Sequence, residues 1–247
     1  MGGVCIITGG SRGIGAACVK QAVEAGYDVC FSYVSNEEAA NKLISEIGST
    51  KANVQAIQSD VSSEEDILDL FAKADEMGPL SALVNNAGVV DMTARVEDYT
   101  AKRLHRMYGT NVIGSILCAR EAVKRMSTKR GGNGGVIVNL SSAAAYLGSP
   151  NQYVDYAASK AAIDTFTKGL ALEVADEGIR VNAVRPGLID TDIHASGGEP
   201  GRVEALEHMV PMKRGGSADE IANAILWLMS DDASYVTGDS LNVTGGR

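Results

Sequence analysis

Val-Cys-Ile-Ile-Thr-Gly-Gly-Ser-Arg-Gly-Ile-Gly, residues 4–15, is the stretch that decides the architecture. Its first part, 4–8, is apolar and rich in β-branched residues, which reads as a buried strand. An alanine-rich segment with helical periodicity follows to about residue 25. A strand, a glycine-rich turn and a helix in that order make a phosphate cradle, because bare backbone N–H groups and the positive end of a helix face an anion. The glycines are Gly9, Gly13 and Gly15, spaced G-x-x-x-G-x-G rather than the commoner G-x-G-x-x-G, with Ser11, Arg12 and Ile14 between them. The other reading is a plain strand-to-helix turn; the flanking strand and helix favour a dinucleotide site.

The second strand, 27–33, bears on which dinucleotide. Sites for NAD place Asp or Glu near the end of this strand to bind the ribose 2′-OH. Here it ends Phe31-Ser32-Tyr33 and runs on through Val34, Ser35 and Asn36, with no carboxylate before Glu37 and Glu38, which open the next helix. Arg12 meanwhile sits inside the glycine loop. A missing acid and an added cation favour a 2′-phosphate, hence NADP over NAD, with a solvated surface arginine as the plainer reading of Arg12.

Strand and helix patterns alternate through the rest of the chain. Helices are expected at 37–47, 63–77, 100–126, from about 155 to 175, and 221–229; strands at 54–58, 80–84, 136–140, 181–184 and 240–243. With no linker and no solenoid repeat, this implies one α/β domain over residues 1–247, a single doubly wound parallel sheet with helices on both faces. Asp60, at the end of the third strand before Val61, either accepts from an adenine amino group or caps the helix near Ser63. Gly109, Asn111 and Gly114 inside the long helix cost stability, which calls for a local kink or a functional Asn111. Residues 188–216 are punctuated by Gly197, Gly198, Pro200, Gly201, Pro211, Gly215 and Gly216 and read as a mobile lid over an active site. His194 and His208 lie in it; with His105 they are the only histidines, and no pair has metal spacing.

Residues 136–160 carry the chemistry: V-I-V-N-L-S-S, a loop, then Y-A-A-S-K. Ser141 and Ser142 end the strand. Tyr156 and Lys160, four apart, share a helix face. A free phenol titrates near ~10, and a neighbouring cation favours its phenolate. Lys160 is therefore expected to make Tyr156 a usable acid/base at neutral pH, while Ser142 hydrogen-bonds a substrate carbonyl or alcohol oxygen. This equipment moves a proton on and off oxygen but not a hydride, so a cofactor has to be held elsewhere in the chain. Taken alone, Tyr-x-x-x-Lys reads as a partly buried tyrosine and a solvated lysine, since short motifs match by chance.

Taken together the stations carry more. Thr8-Gly9…Gly13-Ile14-Gly15, Asp60-Val61, Asn85-Asn86-Ala87-Gly88, Asn111, Ser142, Tyr156…Lys160 and Pro186-Gly187…Thr191 occur in order. In these the chain resembles, over essentially its whole length, the short-chain dehydrogenase/reductase family, nearest the glucose dehydrogenase-like and 3-oxoacyl reductase-like branch with its Rossmann fold. The resemblance implies that Tyr156 donates the proton in carbonyl reduction, and that Lys160 binds the nicotinamide ribose and lowers the tyrosine pKa. It implies that Ser142 orients the carbonyl and that Asn111 holds a water in a proton relay with Lys160. Asp60 and Val61 would flank adenine; Asn86, Ala87 and Gly88 would line the cofactor; Pro186, Gly187, Ile189 and Thr191 would hold its nicotinamide end. It further implies a homotetramer paired through helices 101–126 and 155–175 and through the last helix and strand. The family's serine lies about thirteen residues before the tyrosine; Ser142 lies fourteen before, which places the extra residue in loop 148–155 and leaves Ser141 as the other choice.

Bulk properties bound the alternatives. Apolar residues make up 45% but aromatics only 5%, so the core is Ala, Val, Ile and Leu. A net charge of −9 makes nucleic acid and anionic membrane surfaces poor partners. The basic run Lys124, Arg125, Lys129 and Arg130 reads as a solvated helix C-terminus. Cys5, Cys18, Cys30 and Cys118 form no C-x-x-C pair, which suggests buried free thiols in a reducing cytosol rather than a metal or a disulfide framework. A strand starting by Val4 leaves no room for a signal peptide, and no apolar run approaches membrane-spanning length. The expectation is a cytoplasmic NADP-dependent oxidoreductase acting on a small carbonyl or alcohol substrate. The alternatives are an NADP-binding regulatory or scaffold protein on the same fold, and a 3-oxoacyl-acyl-carrier-protein reductase. For the last, Asp176 and Glu177 stand where the family's docking cation is expected.

Overall fold

Strands and helices alternate from the first described residues. The computed structural model describes residues 2–191 and 193–247, and of His194 the backbone alone; the side chain of this lid histidine is outside the described residues. β1 (Val4–Ile7), α1 (Gly13–Glu24), β2 (Asp28–Tyr33), α2 (Glu37–Ile47), β3 (Val54–Gln58), α3 (Glu64–Met77) and β4 (Leu80–Asn85) form the first half. The second half holds α4 (Ala101–Tyr108), α5 (Ser115–Met126), β5 (Gly135–Leu140), α6 (Ala144–Leu147), α7 (Val154–Val174) and β6 (Ile179–Pro186). It closes with α8 (Ile193–Ser196), α9 (Arg202–Leu206), α10 (Ala218–Met229) and β7 (Ser240–Val243).

The strands make one parallel sheet in the order β3-β2-β1-β4-β5-β6-β7. The chain winds outward from β1 in one direction and from β4 in the other. The order therefore reverses between these two strands, and a crevice opens there beyond their carboxyl ends. Alternate side chains feed the two faces. Cys5 and Ile7 of β1 and Val136 and Val138 of β5 pack with α1, α2 and α10, through Cys18, Ala40 and Ile225 among others. Val4, Ile6 and Ile137 pack on the other face with Phe71 of α3, Cys118 and Met126 of α5, and Val174 of α7. The core is aliphatic, as the composition requires, and the four cysteines are free and buried.

The helices around the sheet start differently. Asn36, Ser63 and Ser217 cap α2, α3 and α10 through side-chain oxygens, and each of these helices has acids in its first turn. The first-turn N–H groups are thereby satisfied and the dipole is neutralised. α1 has neither a side-chain cap nor a first-turn acid.

The expected long helix at 100–126 is broken. Between α4 and α5 the residues Gly109–Gly114 form a π-helical turn. A methyl group on Gly114 would lie 2.4 Å from the Val61 carbonyl oxygen, so the helix can approach the end of β3 only without a side chain there. This is the kink, and it falls on Asn111. The basic run is largely ion-paired: Lys124 and Arg125 with Glu121, Arg125 also with Asp75, and Lys129 with Asp176. Among the described residues no helix is long and apolar enough to cross a membrane.

Candidate active site

A cleft of about 1350 Å³ runs across the carboxyl ends of the strands. Gly9, Ser11, Arg12, Gly13 and Ile14 line it from the glycine loop, with Ser32, Tyr33, Ser35, Asp60 and Val61 from β2 and β3. Asn86, Ala87 and Gly88 follow β4; Ser142, Tyr156 and Lys160 follow β5; Pro186, Gly187, Ile189 and Thr191 follow β6. Of the residues given catalytic or cofactor-binding roles above, Gly15 and Asn111 stand outside this lining. A smaller cavity of about 480 Å³ elsewhere, with Tyr27 and Arg180 in its wall, holds none of them.

The glycine loop is held by side-chain-to-backbone hydrogen bonds and by small size. Gly9 and Gly13 have φ of 64° and 53°, where a side chain is strained. A methyl on Gly15 would lie 2.2 Å from the Gly9 carbonyl oxygen and 2.6 Å from Asn86 Nδ2. Gly15 thus packs the start of α1 beneath the loop rather than facing the cleft. Asn86 Nδ2 donates to the carbonyls of Thr8 and Gly9, and Thr8 Oγ1 accepts from the Asn86 and Ala87 amides. Ser32 Oγ accepts the Gly9 amide at 3.0 Å. Ser32 is 1% exposed, so its hydroxyl braces the loop. The uncapped α1 N-terminus and the positive-φ glycines fit a pyrophosphate. Arg12, exposed beside them, forms no ion pair among the described residues.

At the far end, Ser63 and not Asp60 caps α3. Asp60 Oδ1 instead accepts from the Ser62 amide and hydroxyl. Asp60 is the one carboxylate in the cleft wall among the described residues; Glu37 and Glu38 stay outside it.

Tyr156 and Lys160 lie one turn apart on α7. Lys160 is buried and its Nζ donates to the Leu140 carbonyl at 2.6 Å. Burial pushes its pKa down to about 8, and Asp164 one turn on pulls it back upward. The ammonium lies 5.7 Å from the centre of the Tyr156 ring. Burial pushes the phenol above its ordinary value, and a hydrogen bond with Ser142 offsets part of that rise. The expected lowering of the tyrosine pKa by Lys160 is not among the influences on the phenol; Ser142 is the group that lowers it.

The two serines differ. Ser141 is 2% exposed and its Oγ donates to the Lys160 carbonyl. Ser142 is half-buried and bonds the Tyr156 phenol. Downstream, Gly148, Ser149 and Asn151 have φ of 75°, 46° and 61°. Two non-glycine residues, Ser149 and Asn151, thus lie in the left-handed region between α6 and α7.

Asn111 is fully buried in the π turn. Its Oδ1 accepts the Val89 amide and its Nδ2 donates to the Val89 carbonyl and to Ser159 Oγ. A methyl on Gly88 would lie 3.5 Å from both Asn111 Oδ1 and Lys160 Nζ. Gly88 therefore borders the space between these two groups.

Towards 188–216 the wall includes Leu147, Gln152, Tyr153, Leu188, Ile193, Ser196 and Arg202. Tyr146 is turned away, its hydroxyl donating to the Arg247 carbonyl. Arg202 was not anticipated. It pairs with Glu199, donates to Gln152 Oε1 at 2.7 Å and stacks on Tyr153. Thr93 Oγ1 bonds both Glu199 and the Tyr153 hydroxyl. The Glu-Pro-Gly-Arg spacing is the only local sign of this cluster. His105 and Arg106 also reach the wall, whereas His208 does not. No group of three or more His, Cys, Asp or Glu that could hold a metal exists among the described residues.

Comparison with known proteins follows the same lines. A family model described as enoyl-(acyl carrier protein) reductase matches residues 9–247. An uncharacterized oxidoreductase of Escherichia coli (strain K12), YgfF, is 52% identical over 99% of both chains. A short-chain dehydrogenase/reductase from Serratia marcescens superposes with a TM-score of 0.90 at 32% identity, over 99% of this chain and 97% of that one. A blue fluorescent protein from a metagenomic library, solved in complex with NADPH, gives a TM-score of 0.90 at 33% identity with the same coverage.

Proposed function

The chain belongs to the short-chain dehydrogenase/reductase family, and on that premise we propose that it reduces a small carbonyl compound, or oxidises the matching alcohol, with NADP(H) and with Tyr156 as acid/base. The observation that carries the reading is the convergence of Ser142, Tyr156 and Lys160 on the cleft that the glycine loop also lines. The nicotinamide cofactor supplies the hydride when bound. Gly9, Ser11, Gly13 and Ile14, with the open end of α1, hold its pyrophosphate. Asn86, Ala87 and Gly88 lie along it, Asp60 and Val61 flank adenine, and Pro186, Gly187, Ile189 and Thr191 keep the nicotinamide end. Arg12, Tyr33 and Ser35 form a wall in which the cation makes no ion pair and no carboxylate stands among the described residues, which favours a 2′-phosphate. The NADPH complex of a structural relative supports the same choice.

In reduction the Tyr156 phenol gives its proton to the carbonyl oxygen, which Ser142 orients. The phenol carries its proton at neutral pH, as a donor must; burial makes it a weaker acid, and the Ser142 hydrogen bond works against that rise. Lys160 binds the ribose as an ammonium, and the proton relay with Asn111 runs through the gap beside Gly88. Because its pKa is lowered to about 8, the ammonium is lost as pH rises through that value, and reduction should fall there. Residues 188–216 act as the lid. Asp176 and Glu177, at the place where the docking cation is expected, pair with Lys129, which sets the acyl-carrier reading below a free carbonyl compound, sugar or polyol; Arg130 beside them is exposed and forms no ion pair among the described residues. Apolar side chains exposed on α4 to α7, Leu104, Ile113, Ile116 and Leu172, support the homotetramer, which light scattering tests.

NADPH oxidation against quinones, diketones, aldoses, steroids and short acyl thioesters, with NADH in parallel, tests the function. Tyr156-dependent turnover on one class is expected, faster with NADPH. Tight NADPH binding with no turnover on any class would favour the binding-protein alternative.

A further inference from the structure

A buried ion pair stands directly behind the catalytic helix and takes no part in the chemistry described above. Asp155 precedes Tyr156 in the first turn of α7. Its carboxylate receives a two-point fork from Arg103: Nε to Oδ2 at 2.6 Å and Nη2 to Oδ1 at 3.1 Å. The side chains are 9% and 1% exposed for Arg103 and Asp155, whereas most ion pairs of the chain lie on the surface. The same carboxylate accepts from the Tyr156 amide and the Tyr99 hydroxyl. Tyr99 Oη in turn accepts the Val154 amide at 3.0 Å, and its ring lies 4.3 Å below the Arg103 guanidinium. Arg103 Nη1 reaches back to the Met92 carbonyl, in the segment that continues from Asn86, Ala87 and Gly88.

One guanidinium thus ties three pieces: the first turn of α7, which carries Tyr156; the segment after β4, which borders the cofactor side of the cleft; and α4, which runs into the π turn of Asn111. A buried ion pair is weak grounds for a stability role, since its desolvation offsets most of its attraction. A planar fork fixes direction as well as distance.

We propose that Arg103 is a positioning residue that acts through Asp155 to set the placement of the Tyr156 phenol relative to the cofactor side of the cleft. The proposal rests on the reading of Tyr156 as proton donor. Neither Arg103 nor Asp155 touches substrate or cofactor in this assignment. A misplacement of about 1 Å in the reacting geometry costs on the order of 10²-fold in rate, so the effect belongs in kcat and not in cofactor affinity.

The test uses the full-length protein with NADPH and 9,10-phenanthrenequinone as the carbonyl. Arg103→Lys keeps the charge but loses the fork. The double variant Arg103→Met/Asp155→Asn removes both charges, so that no buried charge is orphaned and folding is protected. Thermal melting, NADPH affinity by its fluorescence, kcat, KM and the isotope effect with 4-deuterated NADPH are compared. The expected result is a folded protein with unchanged NADPH affinity, a kcat lowered by about 10- to 100-fold in both variants, and a larger isotope effect as the chemical step becomes limiting. A structural role alone would lower activity only in proportion to folded protein, with the isotope effect unchanged. That result overturns the proposal, as does wild-type kcat in either folded variant. Tyr156→Phe, run alongside, separates the two failures. Turnover surviving Tyr156→Phe removes the reading of Tyr156 and this proposal with it, whereas Tyr156-dependent turnover indifferent to Arg103 removes the proposal alone.

Discussion

The two ends of the cleft are built on different principles. At the glycine loop the shape is set by what is missing: no side chain at Gly15, no cap and no acid on α1, no carboxylate after β2. Short side chains of Thr8, Ser32 and Asn86, bonded to backbone groups, fix the rest. At the end bounded by 188–216 the wall is set by long side chains, with Arg202, Glu199, Gln152, Tyr153 and Thr93 joined in one polar cluster. The first construction is rigid and tolerates no added atom. The second has alternatives at every torsion, and tolerates substitution at the expense of substrate selection. Binding a constant cofactor and choosing a variable substrate call for these two kinds of wall.

The largest effect should fall at the junction between the ends. Tyr156→Phe keeps the ring and removes the proton, so turnover should drop by about 10²- to 10⁴-fold while NADPH binding, followed by its fluorescence, survives. Loss of binding along with turnover would show that the residue belongs to the cofactor wall and would erase the division drawn here.

Gly15→Ala tests the rigid end. A methyl 2.2 Å from the Gly9 oxygen has backbone on one side and the Asn86 strap on the other, so the loop must shift. The expected cost is about 1–3 kcal/mol in stability, with weakened NADPH affinity, although the residue does not face the cleft. An alanine protein with normal affinity would mean the loop is softer than its bonding implies.

This contrast also explains what could be read from the sequence. Glycines, strand ends and the Tyr-x-x-x-Lys spacing are local signals, and residues 37–47, 54–58 and 240–243 form elements with the expected bounds. The break at 109–114 was visible as Gly109, Asn111 and Gly114 in a helix interior, but its form depends on the Val61 carbonyl, fifty-odd positions away in the chain. Ser32, near the end of β2, lines the cleft, and only the fold shows its hydroxyl accepting the Gly9 amide. Thr93 and Glu199 bond across 106 positions, and no periodicity reports such a pair. The same holds for Arg103 and Asp155, whose importance lies in burial and not in spacing.

At the lid end, Arg202→Met should leave NADPH affinity alone and change KM and the ranking of carbonyl substrates. The cluster is partly open to solvent, so its net contribution to stability is expected within about 1 kcal/mol, read as a small change in Tm. A protein that loses NADPH affinity on this change would couple the two walls, contrary to their separate construction.

The smallest effect probes where the lid stops. Residues 188–216 end on the capping box of α10, in which Ser217 Oγ accepts the Glu220 amide and Glu220 accepts the Ser217 amide. Arg214, the last lid cation, forks onto the same carboxylate. Ser217→Ala should cost about 1 kcal/mol and leave kcat unchanged, because the cap anchors the lid to a rigid helix and does not shape the pocket. The Arg214 hydrogen bond and the Ser217 amide hold the Glu220 carboxyl down to about 2. The sign is that of a depressed carboxyl: its contribution is complete above the ordinary carboxylate pKa of 4.5 and is lost as pH falls towards about 2. Acid unfolding of the wild type and of Glu220→Gln should therefore converge as pH falls from 4.5 towards about 2. Curves that stay parallel to the lowest pH would place the anchor elsewhere and make the lid's end a hinge instead of a fixed point.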